Sequence, residues 1–413
     1  MDTKKSPSKK KTTTITSKQI VKGAKKMAKN NPKGFMIALL VVFLLVGLGV
    51  GAYFGYKYFI EPRLAGNGGN NQSTSQKTSR SHYEGAAGAI DINFLELGNQ
   101  YTGDCTFIKA GDKDILIDAG SRQNSATTIA DFVDNYCADG VLEYVIATHA
   151  HQDHIAGFVG SNKDEGILKH YRIDTLIDFA LTNATSSIYN NYVSLRDEKI
   201  ASGDIAHHYT ANDCIQGTNG AQKVYQLGEG ITMEILDQKF YRETSSDENN
   251  YSVCALFTQG NNNYLFTGDL EAKGEESLAE LNDLPEVELF KGGHHGSYTA
   301  NTDKLLSEIK PKNVCVCCCA GSDEYVKSSG GLPNSEHTFP AQEAVDRIAK
   351  YTSSVYVTTV YSDDDKGYKS MNGNINFHCE DGSVYTITGS NNSVILKDTD
   401  WFKTNRIIPN EWK

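Results

Sequence analysis

The pattern of apolar and polar positions divides the chain before any chemistry is considered. The stretch FMIALLVVFLLVGLGVGAYFGY, Phe35 to Tyr56, runs 22 residues without a charge. As a helix rising about 1.5 Å per residue it would reach about 33 Å, enough for a hydrocarbon core of roughly 30 Å. It exceeds the roughly 7 to 15 apolar residues of a secretory signal, and no small-x-small cleavage site follows it in KYFIEPRLAG. The pattern therefore predicts a retained transmembrane helix over 35–56. Residues 64–87 hold mainly Gly, Asn, Ser, Gln and Thr, too few apolar groups to offset the entropy of folding. They predict a flexible linker over 57–88 and a globular domain over 89–413.

Past the linker the apolar period shifts repeatedly between two and about 3.6 residues. IDINFLEL (90–97), CTFIKA (105–110) and DILIDA (114–119) read as a meander of strands, and NSATTIADFVDNYCADG (124–140) has helical spacing with a glycine stop. Leu142 to Ala147 reads as a buried strand. Further strands are expected at 174–180, 231–237, 251–258, 263–267 and 286–291, and helices at 186–201, 272–282 and 299–309. Two sheets enclosed by helices satisfy this order.

Charge sharpens the division. Residues 1–34 hold eleven lysines against one acid, Asp2, a net of +10, and 35–63 add +1; with −11 for the whole chain, residues 64–413 carry −22. Lysines flanking an apolar span stay cytoplasmic, which predicts a single-pass protein of the cell membrane with its N-terminus inside and its domain outside. The acidic body disfavours nucleic acid as a partner, because that affinity rests on Lys and Arg neutralising phosphates. Lys291, Lys304, Lys310 and Lys312 are the candidates for a local basic patch that would override the average. Nine cysteines, an odd count without regular spacing, argue against a disulfide framework. Cys315, Cys317, Cys318 and Cys319 lie on the apolar run NVCVCCCAG and read as small buried hydrophobes of a core strand.

Three segments carry candidate chemistry. ATHAHQDHIAG (147–157) places His149, His151, Asp153 and His154 where a strand ends and a loop opens. Neutral imidazole and carboxylate suit zinc, and four such groups exceed what one four-coordinate ion with an open water position needs, so two adjacent ions fit better. NNYLFTGDLE (262–271) ends an apolar strand in Gly268 and Asp269. ELFKGGHHGSYTANT (288–302) puts His294 and His295 in a glycine-rich turn after another strand, where absent side chains let the backbone approach an ion. The first points to metal by itself, whereas Gly268 and Asp269 alone could equally be a turn and the paired histidines alone read as surface residues; three such segments just past apolar strands point to one metal site.

With NFLELGNQYTGDCTFIKAGDKDILIDAGS, IKPKNVCVCCC and EHTFPAQEAVDRI, these segments resemble the metallo-β-lactamase superfamily, and within it the hydrolase domain of ComEC-type competence proteins, from about Ile90 to Gly389. The resemblance implies an α/β fold, a four-layer αβ/βα sandwich, with a dinuclear zinc site between the sheets. It implies His149 and His151 on the first ion, Asp153 and His154 on the second, and Asp269 bridging both. His294 would complete the second site, with His295 in its outer layer or exchanging roles. Asp153, Asp269, His295 and His337, the last in SEHTFP, are the implied catalytic residues. Many members supply one more histidine, for which His170, His207 and His208 are the candidates, the last two expected in a surface loop. Zinc is the expected metal, with Mn or Fe as alternatives. Members that reduce dioxygen at di-iron sites place glutamate where this chain has His151, which favours hydrolysis. The implied activity is that of a phosphodiesterase or nuclease using a hydroxide that bridges two zinc ions. A lactone, lactam or small phosphoester substrate such as phosphocholine, and a non-catalytic binding ectodomain, stand as alternatives, and the sequence sets no oligomeric state.

Overall fold

Short runs of alternating and continuous apolar residues become sixteen strands in two eight-stranded sheets among the described residues of the computed structural model, 87–322 and 333–413. The basic tail, the apolar run 35–56 and most of the linker lie outside them. Among the described residues no helix is long and apolar enough to cross a membrane.

The chain first lays down β1 (Ile90–Phe94), β2 (Thr106–Ala110), β3 (Lys113–Ile117), β4 (Val141–Ile146), β5 (Arg172–Asp178) and β6 (Ile205–Thr210). The second sheet takes β7 (Val224–Gly228), β8 (Ile231–Leu236), β9 (Cys254–Gln259), β10 (Asn262–Phe266), β11 (Leu289–Lys291), β12 (Val314–Ala320), β13 (Val355–Tyr361) and β14 (Tyr368–Ser370). Then β15 (Ile375–Cys379) and β16 (Tyr385–Gly389) return to the first sheet, whose order is β16-β15-β1-β2-β3-β4-β5-β6. The second runs β14-β13-β12-β11-β10-β9-β8-β7. Each sheet is mixed: β3 to β6 pair in parallel in one and β10 to β13 in the other.

The two-residue period of a strand assigns the layers. On β12, Cys315 and Cys317 join the apolar cluster shared by both sheets, while Val314, Val316, Cys318 and Ala320 join a second cluster. All nine cysteines are free and buried, and Cys315 and Cys317 of β12 point into one apolar cluster and Cys318 into the other, as core residues of a strand do. In the shared layer Phe94 stacks on Phe266 at 6.1 Å and Tyr264 meets Phe377 edge-on at 5.0 Å. Each such ring removed from water stabilises the contact between sheets by about 1.5–3 kcal/mol. The second cluster is closed by Leu278, Leu305, Ile309, Val345 and Ile348 from helices at Ala272–Leu281, Asp303–Ile309 and Gln342–Ile348. Helices at Ser125–Val133 and Ser187–Ser202 bring Ile129, Val133, Tyr192 and Leu195 to the first cluster. The longer of the two starts where the Ser186 hydroxyl accepts the Tyr189 N–H and stops at left-handed Gly203, the ordinary signals for both ends.

Two expectations are corrected here. His207 and His208 lie on edge strand β6 and not in a loop, because β5 offers a parallel partner 32 residues earlier, Thr175 beside His207 and Leu176 beside His208, that local sequence does not show; His208 Nε2 meets Asp178 Oδ1 at 2.9 Å. The lysines expected to form a basic patch do not. Lys304, Lys310 and Lys312 pair with Glu308, Glu286 and Glu288 at 3.0, 2.8 and 2.9 Å, and Lys291 is buried.

Candidate metal centre

Parallel pairing brings strand ends together, and the candidate groups sit on those ends. Asp118 follows β3, Thr148 to His154 follow β4, Gly268 and Asp269 follow β10, and a 3-10 turn at Gly293–Gly296 follows β11. Asp104 precedes β2, which runs antiparallel to β3 and so reaches the same edge. The backbone is strained here: Asp118, His294 and His295 hold φ of 58°, 47° and 53°, a left-handed conformation that costs a non-glycine residue about 1–3 kcal/mol. At Gly268, φ is 55° and an added Cβ would lie 2.9 Å from both Ser252 Oγ and Thr148 Cβ, so the turn that presents Asp269 admits only glycine.

Asp153 and His154 occupy the first turn of a helix, Gln152–Val159, with His151 at its N-cap. His154 Nε2 is 3.0 Å and His295 Nε2 3.1 Å from Asp269 Oδ2, and His295 Nε2 is 3.3 Å from Asp153 Oδ2. One ligand atom each from Asp104, His154, Asp269 and His295 lie within 4.8 Å of one another, all buried. Beside them, His149 Nε2 and His151 Nδ1 approach to 3.1 Å. His294, expected among the ligands, has Nε2 3.9 Å from Asp269 Oδ2, beside the more deeply placed His295.

The donor set fits a divalent cation. Asp153 Oδ2, His154 Nε2, both Asp269 carboxylate oxygens and His295 Nε2 are buried without a hydrogen-bond partner, whereas buried polar groups in a finished fold are almost always satisfied. Their lone pairs converge, and imidazole with carboxylate is the set that zinc, manganese and iron accept.

Surrounding groups fix the orientation of the rings. Asp118 accepts from His154 Nδ1 at 2.7 Å, from the Thr148 N–H at 2.7 Å and from the Thr148 hydroxyl at 2.8 Å. His295 Nδ1 donates to the Cys317 carbonyl at 2.9 Å. In both rings Nδ1 is engaged, which aims Nε2 at the cluster, as a carboxylate or carbonyl behind a metal-binding histidine does. Burial opposes charge on His154 and His295, yet Asp269 together with Asp118 or Asp104 holds both pKa values well above the ordinary histidine value. Burial keeps His149 neutral, its pKa far below the usual range. Asp104 contacts the Lys291 ammonium, which also donates to the Gly268 carbonyl at 3.2 Å and lies 3.6 Å from Asp269 Oδ1.

A cavity of about 980 Å³ opens beside the cluster, lined by His151, His294, Glu271, Asp247 and Tyr298 among others, with His337 at an exposed position in its wall. His337 lies 3.3 Å from Glu343 and its ring 5.6 Å from that of Tyr298. His294 Nδ1 lies 3.1 Å from Thr299 Oγ1 and 3.4 Å from Glu271 Oε1. Burial and the adjacent Glu271 push the Asp247 carboxyl up to about 6. Burial works against the Glu271 anion, but hydrogen bonds from His294, Asp247 and Thr299 hold it down at about 2. His170 sits apart, against Asp134 and Glu165. Sequence reasoning passed over Asp104, Asp118, Lys291 and the Asp247 and Glu271 pair as site groups. Only Asp118 carried a signal, an aspartate closing the apolar run DILIDA as Asp269 closes NNYLFTGD.

Residues 98–320 match the family model described as the metallo-beta-lactamase superfamily. Recombination protein 2 of Haemophilus influenzae is 30% identical over 132 residues, 32% of this chain and 15% of that protein. ComE operon protein 3 of Bacillus subtilis is 24% identical over 181 residues, 42% of this chain and 20% of that protein. The chain thus spans a fifth or less of the length of these curated relatives. Among solved structures, the metallo-beta-lactamase fold protein YhfI from Bacillus subtilis is 12% identical, with 70% of this chain and 100% of that one covered and a TM-score of 0.36.

Proposed function

Because the chain belongs to the metallo-β-lactamase superfamily, whose model covers residues 98–320, we propose that it is a metal-dependent hydrolase of phosphodiesters. The observation that carries this reading is the convergence of unsatisfied Asp153, His154, Asp269 and His295 atoms beside a cavity. Those four residues would hold one ion, and His149 Nε2, His151 Nδ1 and Asp269 a second. Divalent ions held by these residues would supply a bound water of lowered pKa and positive charge to offset a phosphoryl group.

The chain's own groups do the rest. Asp118 and the Cys317 carbonyl hold His154 and His295 in one orientation, so the site is preorganised and no reorganisation is needed during reaction. Lys291 offsets the charge of Asp104 and Asp269. His294, with Nδ1 toward Thr299 and Glu271, faces the cavity where a leaving oxygen would lie. A small phosphodiester is a better substrate than nucleic acid: the described lining residues include no Lys or Arg, and the lysines after the histidine turn are paired.

In the same reading residues 35–56 anchor the protein in the cell membrane, 57–88 tether the domain, and the domain faces outward. Protease applied to intact cells should then release it; full protection rejects the orientation. For the activity, the purified 89–413 domain is loaded with zinc or manganese, its metal content measured, and phosphodiesters, phosphomonoesters, lactones and β-lactams screened. Close to two equivalents of metal with phosphodiester hydrolysis is the expected result. Metal-free protein after metal-replete expression, or turnover confined to lactones or lactams, rejects it.

A further inference from the structure

The cavity wall is unusually rich in hydrogen-bond acceptors for a site that would receive an anion. Asp247, Glu248 and Glu271 line it. Glu248 is committed to the fold, accepting from the Ala150 N–H at 3.2 Å, the Thr182 hydroxyl at 2.8 Å and the Asn183 N–H at 2.6 Å. Asp247 and Glu271, half-buried, line the same wall; Asp247 Oδ1 also accepts the Asn249 N–H at 3.1 Å and Glu271 Oε1 the Thr299 hydroxyl at 2.9 Å. An independent observation points the same way. Asn249, 6% exposed, donates from Nδ2 to Glu271 Oε1 at 3.3 Å. With Nδ2 committed to Glu271, Asn249 Oδ1 is left a buried acceptor with no hydrogen-bond partner, on a residue that lines the cavity. A buried oxygen of this kind costs about 1–3 kcal/mol unless a donor reaches it.

The complementary ligand must therefore bring positive charge and N–H groups. Aromatic rings favour a cation too, and Tyr298 and Phe339 also line the cavity. A quaternary ammonium would satisfy the carboxylates but has no proton for Asn249 Oδ1; a primary ammonium supplies both. We infer that the substrate is a phosphodiester whose retained alcohol carries a primary ammonium group, with the phosphoryl group at the metal cluster and the ammonium between Asp247, Glu271 and Asn249. This rests on the phosphodiesterase reading above and specifies its substrate class.

The test uses three 4-nitrophenyl phosphodiesters that differ in the second alcohol: 2-aminoethyl, 2-(trimethylammonio)ethyl and propyl. With metal-loaded protein, kcat/KM should fall in that order, the first exceeding the last by at least about tenfold, the discrimination expected when a site's buried acceptors are left unpaired. Asp247→Asn and Asn249→Leu should each shrink the aminoethyl-to-propyl ratio at least about threefold, with far-UV circular dichroism confirming the fold of each. Equal rates for all three esters overturn the ammonium assignment and leave the phosphodiesterase reading standing. A trimethylammonio preference, or an aminoethyl preference unmoved in both variants, removes Asn249 and Asp247 from recognition and so overturns it too. No hydrolysis of any of the three, despite bound metal, rejects the phosphodiesterase reading itself.

Discussion

Replacing Lys291 with methionine isolates the charge balance of the cluster. The Lys291 side chain is 4% exposed and that of its partner Asp104 3%, so neither can turn to water when the other is lost. Burial opposes the ammonium charge, yet Asp104 and Asp269 hold the Lys291 pKa above the usual lysine value. Methionine keeps most of the volume and removes the cation, leaving Asp104 buried and uncompensated beside Asp269. Breaking one side of a buried pair costs about 3–5 kcal/mol, to which the lost bond to the Gly268 carbonyl adds about 1 kcal/mol. Urea unfolding in EDTA should show a loss of about 4–6 kcal/mol from those two contributions. In zinc at about 100 times its dissociation constant, binding should restore about 2.7 kcal/mol, because dications neutralise the same carboxylates. A loss below about 1 kcal/mol in EDTA would mean that the pair acts as a surface contact, and the account of the cluster's electrostatics would be wrong.

Other expectations concern the ligands and pH. Asp269→Ala should lose more bound metal than Asp153→Ala, with hydrolysis down at least about a hundredfold in both; equal, wild-type metal content in the two variants would remove the bridging role. His295→Ala should shed more metal than His294→Ala, because His295 Nε2 is fully buried among the candidate ligands, 3.1 Å from Asp269 Oδ2 against 3.9 Å for His294; metal analysis giving the reverse order would exchange their roles. For metal-free protein, burial opposes the anions, yet the histidines around them, with Lys291 beside Asp104, hold the Asp104, Asp153 and Asp269 carboxyls below the ordinary aspartate value of 3.8, so their contribution is full above that pH and is lost as pH falls through the native values. His154 and His295 are raised above 6.5, so theirs is full below that pH and is lost as pH rises toward the native values. Stability in EDTA should therefore peak between about pH 4 and 6.5, and a midpoint still climbing from pH 6.5 to 9 would contradict the histidine environment.

The parts of the fold that were legible are those with short-range causes. The histidine cluster after β4, Asp269 after β10 and the cysteines of β12 announce themselves through a strand followed by a turn. Asp118 carries the same strand-end signal as Asp269, but its role is set by His154, 36 residues on. Lys291 looked like a surface cation beside a glycine turn and is instead enclosed with Asp104, 187 residues before it in sequence. Strand β6 was missed because its pairing with β5 is parallel and distant, and its alternation is spoiled by two exposed residues, Ala206 and His207. Left-handed backbone at both His294 and His295 sets where each ring points, and two adjacent histidines in a sequence do not reveal it.

The candidate ligands are divided between the sheets: His149 to His154 hang from the first, Asp269 and His295 from the second. An ion held by both halves would act as a clasp across the seam, and its affinity would become a gauge of how well the halves fit. Loosening the Phe94 and Phe266 contact in the shared layer would then weaken metal retention without touching a ligand. Conversely, loading the site would slow amide exchange on β1 and β10 together, two strands that share no hydrogen bond.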